Sequence, residues 1–219
     1  MFHIVDKFFK RLKIRGKCNT VNYKKNTKGY IKVIGNYNEI SFPPSVSDIK
    51  IIIVGNNNQV LIDKEAKLHK VSISVGRSNC PVNNCKVHIG TRTESGKAEL
   101  LLMEDNSSIK IGKDCMFASN INIWCTDVHA ICDLSGNVQN IGKAIEIGDR
   151  VWIGTDVKIG KNTQISNDSV IGWNSVVTRK FTESNVVIAG NPAQIVKRNI
   201  VWDNAPPKFC STLINKKGN

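Results

Sequence analysis

The sequence predicts an all-β solenoid, a parallel β-helix, from three observations. From Ile141 to Val177 an aliphatic residue recurs at every sixth position: Ile141, Ile147, Ile153, Ile159, Ile165, Ile171, Val177. Glycine follows in Gly142, Gly148, Gly154, Gly160 and Gly172, and four places after each aliphatic comes a small or β-branched residue, from Ile145 to Ser175. Upstream, glycine-marked strands recur less regularly, as in Val33-Ile34-Gly35-Asn36 and Ile53-Val54-Gly55-Asn56. A period of six fits neither the 3.6 of an α-helix nor a hairpin meander, and repeats of this length build parallel β-helices.

The elements follow in chain order. Residues 1–30 form a basic N-terminal segment in which Ile4, Val5, Phe8, Phe9 and Leu12 share one helical face, predicting a short helix. That helix packs on its own protein or a neighbouring subunit; the functional alternative is shallow docking on an anionic membrane surface. Residues 31–180 form the solenoid, loose at its N-terminal end and regular at its C-terminal end. At about 130–143, Cys132, Asp133, Ser135, Gly136 and Asn137 replace the expected aliphatics, so a loop projects there. Residues 181–219 hold Gly190-Asn191-Pro192-Ala193, a short helix through Val196 to Asn199, and a frayed tail from Pro206.

Composition narrows the function classes. The 31 basic and 18 acidic side chains give +13, and residues 1–30 supply nine of the bases against one acid. A basic end can meet acidic polymer, anionic lipid, a phosphate-rich cofactor or nucleic acid. Nucleic acid ranks last, because neither interleaved aromatics nor a recognition motif accompanies the charge. Seven cysteines in no framework spacing read as free thiols in a reducing cytoplasm. The N-terminus lacks a signal-peptide h-region, and no apolar run is long enough to span a bilayer.

Three segments carry a family resemblance: Thr126-Asp127-Val128-His129, Ile147-Gly148-Asp149-Arg150-Val151-Trp152-Ile153-Gly154 and Ala189-Gly190-Asn191-Pro192-Ala193. In this order they resemble the hexapeptide-repeat acyltransferases, above all the O-acetyltransferases of sugars and bacterial surface polysaccharides. The resemblance implies a left-handed parallel β-helix of three-sided coils, eighteen residues to a turn where no loop intervenes. Ile147 then lies over Ile165, Ile153 over Ile171 and Ile159 over Val177, with glycines letting the chain turn at each corner. The same arithmetic sets Thr155 beside Trp173, Lys161 beside Arg179, and Asp149 beside Asn167.

The candidate chemistry centres on His129. A sugar hydroxyl needs a base to attack a thioester, and imidazole, with an ordinary pKa of about 6.5, suits that task. The resemblance implies direct attack on acetyl-CoA without an acyl-enzyme. It also sets Trp152, which points outward beside the inward Ile153, close to His129 as a catalytic-site residue. Asp127 would orient the imidazole or bind the acceptor. For the cosubstrate the resemblance implies Gly154 and Thr155 at the thioester arm, with backbone N–H groups facing the oxyanion. Thr178 and Arg179 lie further along, Lys161 and Arg179 suit the phosphates, and Asn191 and Pro192 neighbour the nucleotide end with Arg198. Trp173 replaces the family's usual small residue and is expected to wall the acyl arm.

The reading is a cytoplasmic acetyl-CoA-dependent O-acetyltransferase of a surface polysaccharide, such as a capsule or O-antigen, or its precursor. The charge leans towards an acidic acceptor. Acetyl-CoA is a cosubstrate, with no tightly bound cofactor; the histidines lack a metal-binding pair, so no metal is expected. A homotrimer with sites between subunits is the family expectation. The alternatives are N-acetylation of an amino sugar and a noncatalytic β-helix for binding or assembly.

Overall fold

The computed structural model describes residues 12–23 and 28–209. Parallel strands stack into three sheets of 8, 8 and 7 strands; the earliest coils alternate between two of them, and from Lys67 on each coil visits all three in one fixed order. The first face runs from Leu12–Arg15 to Val176–Val177, and the second from Thr20–Asn22 to Lys180–Phe181. The third starts at Lys67–Leu68 and ends at the hairpin of Val187–Gly190 with Ala193–Lys197, its one antiparallel pair. The expected registers are present: Ile147 pairs with Ile165, Ile153 with Ile171 and Ile159 with Val177.

The core is a column of stacked aliphatics. Ile31, Ile51, Ile73, Leu100, Ile123 and Ile159 succeed one another up the first face, each no more than 1% exposed. Burying each contributes about 1.5–3 kcal/mol relative to exposure. Alternation puts every second strand residue in this column and its neighbours on the surface.

The corners work differently from the sequence expectation. The left-handed backbone falls two residues after the glycine, at Arg150 (φ 53°), Asp156 (62°), Asn162 (59°) and Asn174 (55°). The glycines instead permit close approach between rungs. A Cβ on Gly148 would lie 2.2 Å from Asn167 Oδ1, and one on Gly154 would lie 2.4 Å from Trp173 Cδ1.

The edge between the first and second faces is bound by a side-chain ladder. Asn56 Oδ1 accepts from the Asn36 N–H at 2.9 Å, Asn83 Oδ1 from Asn56 at 2.9 Å, and Asp105 Oδ1 from Asn83 at 2.6 Å. A parallel ladder of Asn19, Asn38 and Asn58 runs beside it. The Asn-Gly tracts are therefore more than turn formers: each side chain satisfies a corner N–H that no strand can pair.

Three expectations change. The solenoid begins at Leu12, whose strand pairs in register with residues 31–34, so much of the segment 1–30 belongs to the ladder. The helix expected over residues 2–12 otherwise lies outside the described residues. The C-terminal helix is absent: Val196 belongs to the strand Ala193–Lys197, because Ile195 pairs with buried Ile188 across the hairpin. The helical element described near that end is a 3-10 turn at Pro207–Phe209. Ile141, the first aliphatic of the repeat, is 53% exposed and belongs to the projecting loop.

Candidate active site

The projecting loop leaves the first face after Ile121–Trp124 and returns to the second at Ala144–Ile147. It therefore interrupts the ladder edge between Asp105 below and Lys161 above. His129 stands near its start, exposed, and among the described residues its imidazole makes no hydrogen bond. Its backbone is firmly held. The Asn140 amide donates to the His129 carbonyl at 2.9 Å and to Asp127 Oδ2 at 2.8 Å, while Asn140 Oδ1 accepts from the Ile131 N–H at 2.8 Å. An imidazole free at the ring and fixed at the backbone is what a base awaiting a substrate hydroxyl needs.

The preceding residue is conformationally unusual. Val128 has φ 66°, a left-handed conformation that costs a β-branched side chain about 1–3 kcal/mol. Its N–H donates to Thr126 Oγ1 at 2.8 Å, and the Thr126 hydroxyl donates to Glu104 Oε1 at 2.8 Å. Burial pushes the Glu104 carboxyl above the usual carboxylate range, opposed by that hydroxyl bond. Cys125 beside it is pushed up to about 12, by burial first and the nearby carboxylate second, so this thiol stays protonated.

Asp127 does not orient the imidazole. Its carboxylate pairs with the Lys161 ammonium and accepts from Asn140, and these contacts hold it below the usual carboxylate range. Residues 126–129 form a turn rather than a strand, so Asp127 and His129 share no strand face. The expected doubly basic edge is also largely engaged. Lys161 serves Asp127, while Arg179 donates to Gln194 Oε1 at 2.9 Å and lies 5.2 Å from the Phe181 ring centroid. Arg198 pairs with Glu183.

The expected site residues fall in separate regions. His129, Asp127, Lys161, Thr178 and Arg179 line the edge between the first and second faces. Gly154, Thr155 and Trp173 line the edge between the third and first faces, joined by a 2.9 Å bond from the Asn174 N–H to the Thr155 carbonyl. Asn191 and Pro192 form the exposed turn of the hairpin that ends the third face. Trp152 projects from the third face, across the prism from His129, so one chain does not bring indole and imidazole together.

Trp202, which sequence reasoning left unremarked, covers Trp152. The two rings lie 6.2 Å apart at 41°. Trp202 Nε1 donates to the Arg150 carbonyl at 2.7 Å, and Arg150 donates back to the Trp202 carbonyl at 3.2 Å with its guanidinium 5.4 Å from the ring centroid. The signal was one aromatic outside the repeat, which carries no spacing to a partner 50 residues upstream. A cavity of about 460 Å³ opens beside this pair, lined by Lys67, Arg92, Glu94, Arg150, Trp202 and Asp203 among others.

No protein-family model matches the chain. The chain is 36% identical over 186 residues to a polysialic acid O-acetyltransferase of Neisseria meningitidis, a match covering 77% of this chain and 86% of that protein. Its structure resembles that of the polySia-specific acetyltransferase NeuO, with TM-score 0.82 and 32% identity over 97% of this chain and 100% of the other. The polysialic acid O-acetyltransferase OatWY matches with TM-score 0.79 and 32% identity, over 94% and 98% of the respective chains.

Proposed function

The chain belongs to the hexapeptide-repeat acyltransferases, left-handed parallel β-helices close to the polysialic acid O-acetyltransferases, and on that premise we propose that it O-acetylates an acidic bacterial surface polysaccharide. Acetyl-CoA is the donor. The observation that carries the mechanism is His129, free at its ring and fixed at its backbone by Asn140. Its imidazole takes the proton of a sugar hydroxyl as that oxygen attacks the thioester carbonyl. The tetrahedral intermediate collapses, the acetyl ester forms, and the CoA thiolate leaves and recovers the proton from the imidazolium. The acetyl group moves once, so no enzyme nucleophile is required.

The site is shared between copies in a homotrimer, since His129 and Trp152 lie on opposite sides of the prism within one chain. The edge of Gly154, Thr155 and Trp173 on one copy then meets the His129 loop of the next, and acetyl-CoA lies between them. The exposed apolar side chains of that loop, Ile131, Leu134 and Val138, favour such packing. Among the described residues no helix is long and apolar enough to cross a membrane. We place the reaction in the cytoplasm, where acetyl-CoA is available and the six described free cysteines stay reduced.

The deciding experiment is thiol release from acetyl-CoA in the presence of polysialic acid, compared between the unaltered protein and His129→Ala. A general base contributes about a hundredfold or more, so the variant should lose at least that much kcat. An undiminished rate in His129→Ala would overturn the assignment.

A further inference from the structure

Glu104 is a carboxylate for which acetyl transfer has no direct use. It sits one coil below the His129 turn, on the same edge, and its Oε2 is buried with no hydrogen-bond partner among the described residues. A Cβ on Gly142 would come within 3.2 Å of that oxygen, so the returning end of the loop closes over it. Oε1 accepts from the Thr126 hydroxyl at 2.8 Å.

The consequence lies in how one hydroxyl can be shared. Thr126 has a single hydroxyl proton and rotates to suit its strongest acceptor. Committing that proton to Glu104 turns a lone pair towards the Val128 N–H, which it receives at 2.8 Å. That bond holds Val128 at φ 66°, where its branched side chain is disfavoured. Without it the turn can relax into an ordinary conformation, and rotation about Val128 swings the next residue. Asn140 holds the His129 carbonyl, on the far side of that rotation. On the near side the Val128 N–H is braced by Thr126, while the Asp127 carboxylate is held by Lys161 and Asn140.

We infer that Glu104, acting through Thr126, is a positioning residue that fixes the Val128 turn and so the direction in which His129 is presented. This rests on His129 as the base. Glu104 touches neither acceptor nor donor, and its contribution falls on kcat rather than on binding.

The test is a set of substitutions in the full chain, assayed with acetyl-CoA and polysialic acid. Thr126→Val removes both bonds at nearly constant volume and should lower kcat at least tenfold with KM for acetyl-CoA unchanged. Thr126→Ser keeps both bonds and should retain activity. Adding Val128→Gly to Thr126→Val should recover most of the lost kcat, because glycine adopts the left-handed turn without a brace. In a His129→Ala background Thr126→Val should change nothing further. Glu104→Ala, carried through the same backgrounds, should behave as Thr126→Val does and decides the matter if the valine variant does not fold. Full kcat in Thr126→Val or Glu104→Ala, or no recovery with Val128→Gly, overturns the positioning role. Loss of the His129→Ala effect instead overturns the base itself, and the two failures are told apart by that variant alone.

Discussion

Trp152 stands on the third face of the solenoid while His129 stands on the loop at the opposite edge, so within one chain the two residues lie on opposite sides of the prism. Both belong to motifs that mark the family, and a site using both must be assembled from two copies. This yields a complementation experiment. The His129→Ala and Trp152→Ala proteins should each be impaired. Co-refolding them in equal amounts gives a shared site a random chance of drawing an intact histidine from one copy and an intact tryptophan from the next. Activity should then return to roughly a quarter of the unaltered level. Mixtures no better than the parent variants, or a monomer by light scattering, would rule out a shared site.

The C-terminal clasp makes a stability prediction. Trp202 stacks on Trp152, donates to the Arg150 carbonyl and lies under the Arg150 guanidinium. Trp202→Phe keeps a ring but loses the indole N–H, and should cost about 1 kcal/mol. Trp202→Ala loses all three contacts and should cost about 2–3 kcal/mol. Urea unfolding of the two variants checks the order, and equal costs would mean that the hydrogen bond carries nothing.

What the sequence disclosed and what it hid follow from the same arithmetic. Where coils are eighteen residues long, register is fixed by counting, so Ile153 over Ile171 and Trp173 beside Thr155 were both legible. The relationships that shape the His129 turn cross coils of other lengths. Thr126 reaches Glu104 across 22 residues, and Lys161 reaches Asp127 across 34, over the inserted loop. No period connects them. Asp127 illustrates the cost: two residues from His129 in sequence, it looked like a partner of the ring, yet its carboxylate is taken by Lys161 and Asn140. The helix expected near Val196 failed for a related reason, since a five-residue edge strand is too short to show a periodicity of its own.

The Lys161–Asp127 pair predicts a pH dependence. Lys161 holds the Asp127 carboxyl below its ordinary value, so the folded state binds that proton less readily than the unfolded chain. The pair therefore stabilises fully above about pH 4, the ordinary carboxylate range, and its contribution is lost as pH falls through the lower folded value. Both side chains are partly exposed, which limits the contribution to about 1 kcal/mol or less. Lys161→Met should be less stable than the unaltered protein by that amount at pH 7, and the difference should vanish in strong acid. A difference that persists unchanged at the lowest pH would show that Lys161 acts through packing rather than charge.

Trp173 makes the last prediction, about which acyl groups the site admits. The residue is 75% exposed, yet its Cδ1 occupies the space a Cβ on Gly154 would need, so that edge of the ring packs against the corner beside Thr155. An indole held there by backbone contact narrows any channel that runs along this edge. Trp173→Ala removes that wall without disturbing the Ile153–Ile171 ladder beneath it, whose side chains face the core. The variant should therefore fold normally and keep much of its activity with acetyl-CoA, while its rate with propionyl- and butyryl-CoA rises relative to acetyl-CoA. One methylene in an apolar pocket discriminates by about 1–3 kcal/mol, so the relative gain should be about tenfold or more per added carbon. Gly154→Ala should act in the opposite sense, pushing the ring outward into the channel and slowing even the acetyl donor. An unchanged acyl preference in Trp173→Ala would place the donor away from this edge.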